Sequence, residues 1–456
     1  MIRSVNPFNN AELAAFEEEG FDILDKKLDD AERSFHIWKK SSVSERSELI
    51  QECADVLKNN REEYARLITA ETGKVIKESL DEIDNCIRLC EYFALNAVNY
   101  PNEEIINLND GKGEGIILYE PLGNILGIMP WSYPFWEVFR FTIPTLMTGN
   151  TITLKHSSRV PQCSLKMEEV FKKACFPDAV FQSILVSSSK IENLIKDDRI
   201  QGVCFTGGIA AGIETGKYAG KNIKKTVLEL GGTDPFIVLE DADVNKAASA
   251  GGKSAMNNLG QSSYAAKRFI IHEKIADEFI QKLISNIHSL RFGDPLKKES
   301  DYASLAGLDQ KKKLSLQVEK TINMGANVLW QENKADSGSA FFNPLLLTSV
   351  EPGMPAYEEV LFGPVMSIFK VKDTQEAVHI ANDCEYGLGA SIWTVDPDKA
   401  KMLAREIDAG VIYINEKVSS RPDLPYGGIK KSGIGKKLSL ESIREFTNKK
   451  TVWYPL

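Results

Sequence analysis

A chain of 456 residues is longer than a single hydrophobic core fills, so two or three domains are expected. Hydrophobic residues make up 43% and charged residues 26%, the proportions of an ordinary globular protein. The net charge of −9 argues against a nucleic-acid partner, which calls for a basic patch.

Taken in order, the N-terminus Met1-Ile2-Arg3-Ser4-Val5-Asn6-Pro7 holds no signal-peptide apolar region. No apolar run approaches the ~20 residues that span a bilayer. A cytoplasmic protein with no membrane partner is expected. Asp22 to Lys40 is amphipathic, with Ile23, Leu24, Leu28, Ala31, Phe35 and Trp38 near helical spacing. Ser42 with Glu45 three later is a capping-box signal for a second helix. Gly73 ends a third helical stretch, and a fourth runs from about Val75 to Tyr100 and stops at Pro101. Residues 102–113 are mostly polar and contain Asn-Asp-Gly, a turn signal. A strand follows at Gly115 to Tyr119, then an apolar run from Asn124 to Met129.

From Pro130 to about Leu239 short strands alternate with helices. Strands are predicted at Thr151–Leu154, Val180–Val186, Gly202–Phe205, Thr226–Leu228 and Phe236–Leu239. Helices are predicted at Leu165–Lys173, Lys190–Lys196 and Ile209–Ala219. This alternation implies a parallel, doubly wound α/β sheet, which binds ligands at the carboxyl ends of its strands. A second α/β region covers roughly 240–435, with a helix at Ile275–Leu290 and a strand at Gly410–Ile414. The glycine-rich segment Tyr426 to Gly435 closes it, and Thr451–Tyr454 reads as a terminal strand. The seven cysteines are odd in number and scattered without metal-ligand spacing, which fits reduced thiols.

Five stretches carry chemistry. Met256 to Arg268 is a small, polar loop that presents Ser263, fixed from behind by the apolar run Phe269-Ile270-Ile271. Phe205-Thr206-Gly207-Gly208 follows a strand and opens a helix, a phosphate-binding geometry or a plain strand-to-helix turn. Lys155 sits just after a strand, at the edge where cofactors lie, though a solvated surface lysine is the common alternative. Glu229, before Leu230-Gly231-Gly232, ends an apolar strand. Partial desolvation there would raise its pKa and suit a general base. Glu229 also lies some twenty residues past Gly208, where a simple dinucleotide fingerprint places a ribose-binding acid. Pro130-Trp131-Ser132-Tyr133-Pro134 is a rigid aromatic loop able to aim an amide or hydroxyl at an oxyanion, or a structural turn.

Together with Gly149-Asn150-Thr151, Phe362-Gly363-Pro364, Pro425-Tyr426-Gly427-Gly428 and Lys431-Ser432-Gly433, these motifs resemble the NAD(P)-dependent aldehyde dehydrogenase superfamily. The resemblance covers nearly the whole chain and is nearest to its succinate-semialdehyde dehydrogenase branch. It implies an α/β aldehyde dehydrogenase fold in three parts. Residues 1–102 and 122–231 would form a Rossmann-like cofactor domain, 232–440 the catalytic domain, and 103–121 with 441–456 a small β oligomerisation arm. A homodimer or homotetramer is implied as well. In such enzymes a cysteine thiolate attacks the aldehyde, hydride leaves to the nicotinamide, and a glutamate activates water to hydrolyse the thioester. By this resemblance Glu229 is the general base and not a ribose ligand. Lys155 and Ser158 would lie at the adenosine ribose, Gly207 and Gly208 near the phosphates, and Trp131, Leu230 and Phe362 along the cofactor.

The departures from the family fall on chemistry. Ser263 stands at the nucleophilic cysteine position, Ser132 at the oxyanion asparagine and Val360 at the glutamate expected on the nicotinamide ribose. Glu359 is adjacent to Val360 but would point elsewhere on a strand. A serine hydroxyl is a far weaker nucleophile than a thiolate unless a base is adjacent, and no histidine lies in this loop. Two readings follow. One is oxidation of a semialdehyde or small aldehyde to the acid, severely impaired in this chain. The other is an inactive homologue that binds nucleotide or acts as a scaffold. The cofactor is NADP or NAD, with NADP favoured because neutral Ser158 with Arg159 beside it accepts a 2′-phosphate. Arg140 and Arg421 are candidates for a substrate carboxylate, or for structural ion pairs.

Overall fold

The computed structural model describes residues 1–97, 100, 102–107, 113–333 and 340–455. Four helices open the chain after a short hairpin: Phe21–Trp38, Val43–Asn59, Arg61–Thr72 and Ile76–Asn96. The second is capped as its sequence predicts: Ser42 Oγ accepts from the Glu45 amide at 3.2 Å, and the Ser42 amide donates to Glu45 Oε2 at 2.6 Å. The third ends at Gly73, whose φ of 76° needs a glycine. The fourth ends at Asn96, before the predicted Tyr100; Pro101 and the Asn-Asp-Gly turn lie outside the described residues. Hydrophobic pattern marks no element before Asp22, yet Ile2–Val5 pairs antiparallel with Glu12–Phe16. Each strand is too short to show a clear alternation.

The first large sheet runs, in spatial order, Gly433–Ile434, Lys225–Leu230, Ile200–Gly207, Asn124–Met129, Thr151–His156, Phe181–Ile184. Its last five strands are parallel. Both faces are covered: Leu126, Val203 and Leu228 pack under Leu24, Leu28 and Ala219. Ile125, Ile152 and Val227 pack on the opposite side. Burial on both faces is why these strands read as continuous apolar runs.

The second sheet has seven strands: Asn327–Gln331, Leu345–Thr348, Val365–Val371, Arg268–His272, Pro235–Val238, Gly389–Trp393, Val411–Ile414. All its pairings are parallel except that of Asn327–Gln331 with Leu345–Thr348. The glycine-rich segment does not simply close this second region. Its Gly433 pairs antiparallel with Glu229, so the segment crosses over and becomes the edge of the first sheet. Period-based reading missed this because the strand is only two residues long. A third sheet joins Glu103–Asn107, Gly113–Pro121 and Thr447–Pro455, all antiparallel.

Candidate active site

Ser263 sits in a turn between the helix Val244–Met256 and the strand Arg268–His272. The turn is tightly determined. Asn258 and Leu259 both take left-handed φ values, 48° and 52°. Gly260 follows at φ 69°, and a Cβ there would meet the Gly363 carbonyl oxygen at 2.2 Å. Buried Lys267 staples the same two glycines, donating to the Gly260 and Gly363 carbonyls at 2.7 Å each. Burial pulls its pKa down to about 7. The Asn258 side chain donates to the Ser132 carbonyl at 3.0 Å and to the Gln261 carbonyl at 3.1 Å. Next along each loop, Tyr133 and Tyr264 stack at 5.9 Å. The Ser263 and Ser132 loops therefore face each other.

No described group hydrogen-bonds the Ser263 hydroxyl. The histidines with described partners are used elsewhere. His156 lies between the carbonyls of Met129 and Pro134, His272 caps the helix Glu273–His288, and His288 meets Glu332 at 2.9 Å.

Glu229 is buried at the end of its strand, and its surroundings overturn one expectation. Burial alone raises its pKa, but Arg140 and Lys437 outweigh burial and hold the carboxyl below its ordinary value. Lys437 Nζ lies 3.2 Å from Glu229 Oε2 and also donates to Thr206 Oγ1. Arg140 bonds both Glu229 and Glu137. The four side chains form a fully buried, electrically neutral cluster. Arg140, fully buried, is thus a structural ion-pair member and not a substrate ligand. Val360 packs over Gly231, where a Cβ would meet Val360 Cγ2 at 3.2 Å. Glu359 lies on a loop after the helix Pro355–Glu358, not on a strand, and accepts from Gln317 at 2.7 Å.

At the carboxyl edge of the first sheet, Lys155 is 6% exposed and its ammonium has no described partner. Gly208 caps the helix Ile209–Lys221, with nothing within 4 Å of a Cβ built there. Open space before that helix and an unpartnered ammonium at the sheet edge fit a dinucleotide with its phosphates at the helix terminus. Ser158, Ser187 and Ser188 line a groove of about 590 Å³ with Glu18 and Arg159. Arg159 is not free for a phosphate: it donates to the Ala306 carbonyl at 2.9 Å and pairs with Asp309. Trp131 and Phe362 meet edge to face at 5.7 Å. The Leu230 side chain fills the space over Gly212, and its amide donates to the Ser432 carbonyl at 2.9 Å.

On the other side of the Ser263 loop a cavity of about 480 Å³ is lined by Glu78, Tyr133, Asn257, Tyr264, Lys417 and Arg421. Arg421 is tied to Asp423 by two bonds of 3.0 and 2.9 Å. Lys417 has no described side-chain partner. Glu78 accepts the Asn258 amide at 2.9 Å, and burial pushes its carboxyl up to about 7.

The aldehyde dehydrogenase family profile matches residues 1–452. The chain belongs to the aldehyde dehydrogenase family. A probable NADP+ succinate-semialdehyde dehydrogenase of Synechocystis sp. is 41% identical over 452 residues, 99% of each chain. The Escherichia coli NAD(P)+ succinate semialdehyde dehydrogenase Sad is 37% identical over 450 residues, 99% of this chain and 97% of that protein. The solved succinic semialdehyde dehydrogenase of Streptococcus pyogenes, in complex with NADP+, superposes with a TM-score of 0.97 at 31% identity, covering all of both chains.

Within this aldehyde dehydrogenase fold, the structure brings Ser132 and Ser263 together on facing loops and Trp131 beside Phe362. It places Lys155, Ser158, Gly207 and Gly208 at one sheet edge. Sequence reasoning missed Lys437, Asn258, Glu78 and Glu18. None had a local signal: each acts on a partner far along the chain, as Glu78 does on Asn258 and Lys437 on Glu229.

Proposed function

We propose that the chain is an NAD(P)-dependent dehydrogenase for succinate semialdehyde or a similar small aldehyde, impaired in turnover by Ser263. The observation that carries it is the pairing of the Ser132 and Ser263 loops through Asn258, with a cavity lined by Tyr133, Asn257 and Tyr264 beside them. Bound NAD(P)+ supplies the hydride acceptor. Lys155, Ser158 and the Gly208 helix terminus would hold it. Ser263 would present its hydroxyl to the aldehyde carbon, and the Ser132 loop would face the developing oxyanion. Lys417 and Arg421 give the cavity cationic groups suited to a carboxylate at the far end of the substrate. With no helix among the described residues long and apolar enough to cross a membrane, a cytoplasmic oligomer is our reading of its setting.

Impairment follows from three local facts. Ser263 has no described base to take its proton, and a serine hydroxyl is a poor nucleophile without one. Ser132 offers a shorter donor than asparagine, and loss of one oxyanion donor costs ~10²–10³ in turnover. Glu229, held ionised by Arg140 and Lys437, is a weaker base than one poised near neutrality. The same facts favour a second reading, a homologue that binds nucleotide without turning over.

The deciding experiment measures aldehyde-dependent NAD(P)H formation with succinate semialdehyde for the natural chain and for Ser263→Cys. Activity appearing only in the variant supports the first reading, and Ser132→Asn should then add up to ~10²–10³. Wild-type turnover at the level of an ordinary aldehyde dehydrogenase refutes the impairment. Cofactor binding with no activity in Ser263→Cys, even with Ser132→Asn and Val360→Glu added, favours the second reading.

A further inference from the structure

We propose that Glu18 selects the cofactor at the 2′ position of its adenosine ribose, favouring a 2′-hydroxyl over a 2′-phosphate. The inference rests on the reading of the Lys155 groove as the NAD(P) site.

The groove is lined by Arg159, Arg3 and the N-terminal Met1, and Arg3 pairs with Glu12 at 3.3 Å. Arg159 is spent on the Ala306 carbonyl and on Asp309, and Asp309 itself lies on the groove wall. Lys155 lies on the strand that leads into Ser158, buried, with an ammonium that no described residue bonds. A second lysine in the neighbourhood, Lys190, donates to the Glu19 carbonyl at 2.6 Å and is likewise engaged.

Beside these cations stands the carboxylate of Glu18. It comes from the segment between the N-terminal hairpin and the helix Phe21–Trp38, far from every motif that marks the cofactor site. Its carboxylate accepts the Ser187 amide at 3.2 Å through Oε2, and no described residue bonds Oε1. The segment is pinned by the next residue along the chain. The Glu19 amide donates to the Leu185 carbonyl at 2.9 Å, and the Glu19 side chain pairs with Lys27 at 2.6 Å. Glu18 is therefore held on the groove wall beside Ser158, Ser187 and Ser188. It is also the carboxylate whose charge reaches Lys155: burial lowers the Lys155 pKa, and Glu18 works against that.

A carboxylate in this place accepts hydrogen bonds from a ribose diol, as the acidic residue of dinucleotide sites does. A phosphate there carries about −1.5 to −2 charges and is repelled by it. A single like charge at a solvated wall, screened by water and salt, should shift the preference by roughly tenfold and not abolish binding.

The test measures dissociation constants of NADP+ and NAD+ by equilibrium titration of the full natural chain, which needs no turnover. Glu18→Gln keeps an acceptor for the Ser187 amide and removes the charge. It should tighten NADP+ by roughly tenfold while leaving NAD+ unchanged or weaker, and the gain should shrink at high salt. Glu18→Lys should move the ratio further the same way. An NADP+ to NAD+ ratio unchanged in both variants overturns the assignment to Glu18 and leaves the cofactor site standing. Failure of the natural chain to bind either dinucleotide overturns the site itself, and this assignment with it.

Discussion

Glu78 shows how one half-buried carboxyl tunes a loop it does not belong to. It holds the Asn258 amide, and Asn258 in turn holds the Ser132 carbonyl. Its pKa is raised from 4.5 to about 7, so the ionised form is costly in the folded state. The contribution to stability is full below pH 4.5 and is lost as pH rises through 7. Glu78→Gln stays neutral throughout. The difference in thermal midpoint between wild type and Glu78→Gln, followed from pH 4.5 to 8, should therefore drift in the variant's favour as pH rises. A constant difference across that range would mean Glu78 does not titrate there. Legibility at this scale follows sequence distance. Ser263, Glu229, Lys155 and Gly208 each sit beside a strand end or a glycine that marks them. Lys437 looks like one lysine among several in Lys430-Lys431 and Lys436-Lys437, and only the fold brings it to Glu229. The raised pKa expected of Glu229 was read from burial alone, and the cations that reverse it are distant in sequence.

At the scale of elements, glycine positions divide into those that geometry requires and those that it tolerates. Gly260 combines φ 69° with a carbonyl oxygen 2.2 Å from where a Cβ would go. Gly208 has φ −72° and open space. Gly260→Ala should cost about 2 kcal/mol or more, from the left-handed backbone and the clash with Gly363. Gly208→Ala meets no clash and should cost less, roughly 0.5–1 kcal/mol from the N-cap preference for glycine over alanine. Urea unfolding midpoints of the two variants check this, and equal effects would argue against the tight seating of the Ser263 loop. The alternating strands and helices of the first sheet were legible because its strands carry apolar runs buried on both faces and its helices carry one apolar face. Boundaries moved by a few residues, as in Phe181–Ile184 for the predicted 180–186. The two-residue strands Ile429–Lys430 and Gly433–Ile434 were not legible, since no period can show in two residues.

For the whole molecule, the three-stranded arm ends in a strand with Trp453 57% and Tyr454 54% exposed, and Ile105 on its far strand is 57% exposed. Exposed apolar side chains of this size are what an interaction surface presents, so an assembly through this sheet is a prediction to test. Removing residues 447–456 should take away the nine-residue pairing with Gly113–Pro121 and convert an oligomer to monomers or aggregates. Light scattering after gel filtration distinguishes these, and an unchanged mass would exclude the arm from assembly.

The antiparallel pairing of Gly433 with Glu229 has a consequence for biosynthesis. The two residues lie roughly two hundred positions apart, so at 5–20 residues per second the edge of the cofactor sheet waits about 10–40 s for its last strand. Through that interval the backbone of Lys225–Leu230 stands unpaired on one side, and the Glu229 carboxylate lacks Lys437. A nascent chain stalled near residue 300 should therefore lean on chaperones, and the dinucleotide site should mature only when the C-terminal quarter has left the ribosome.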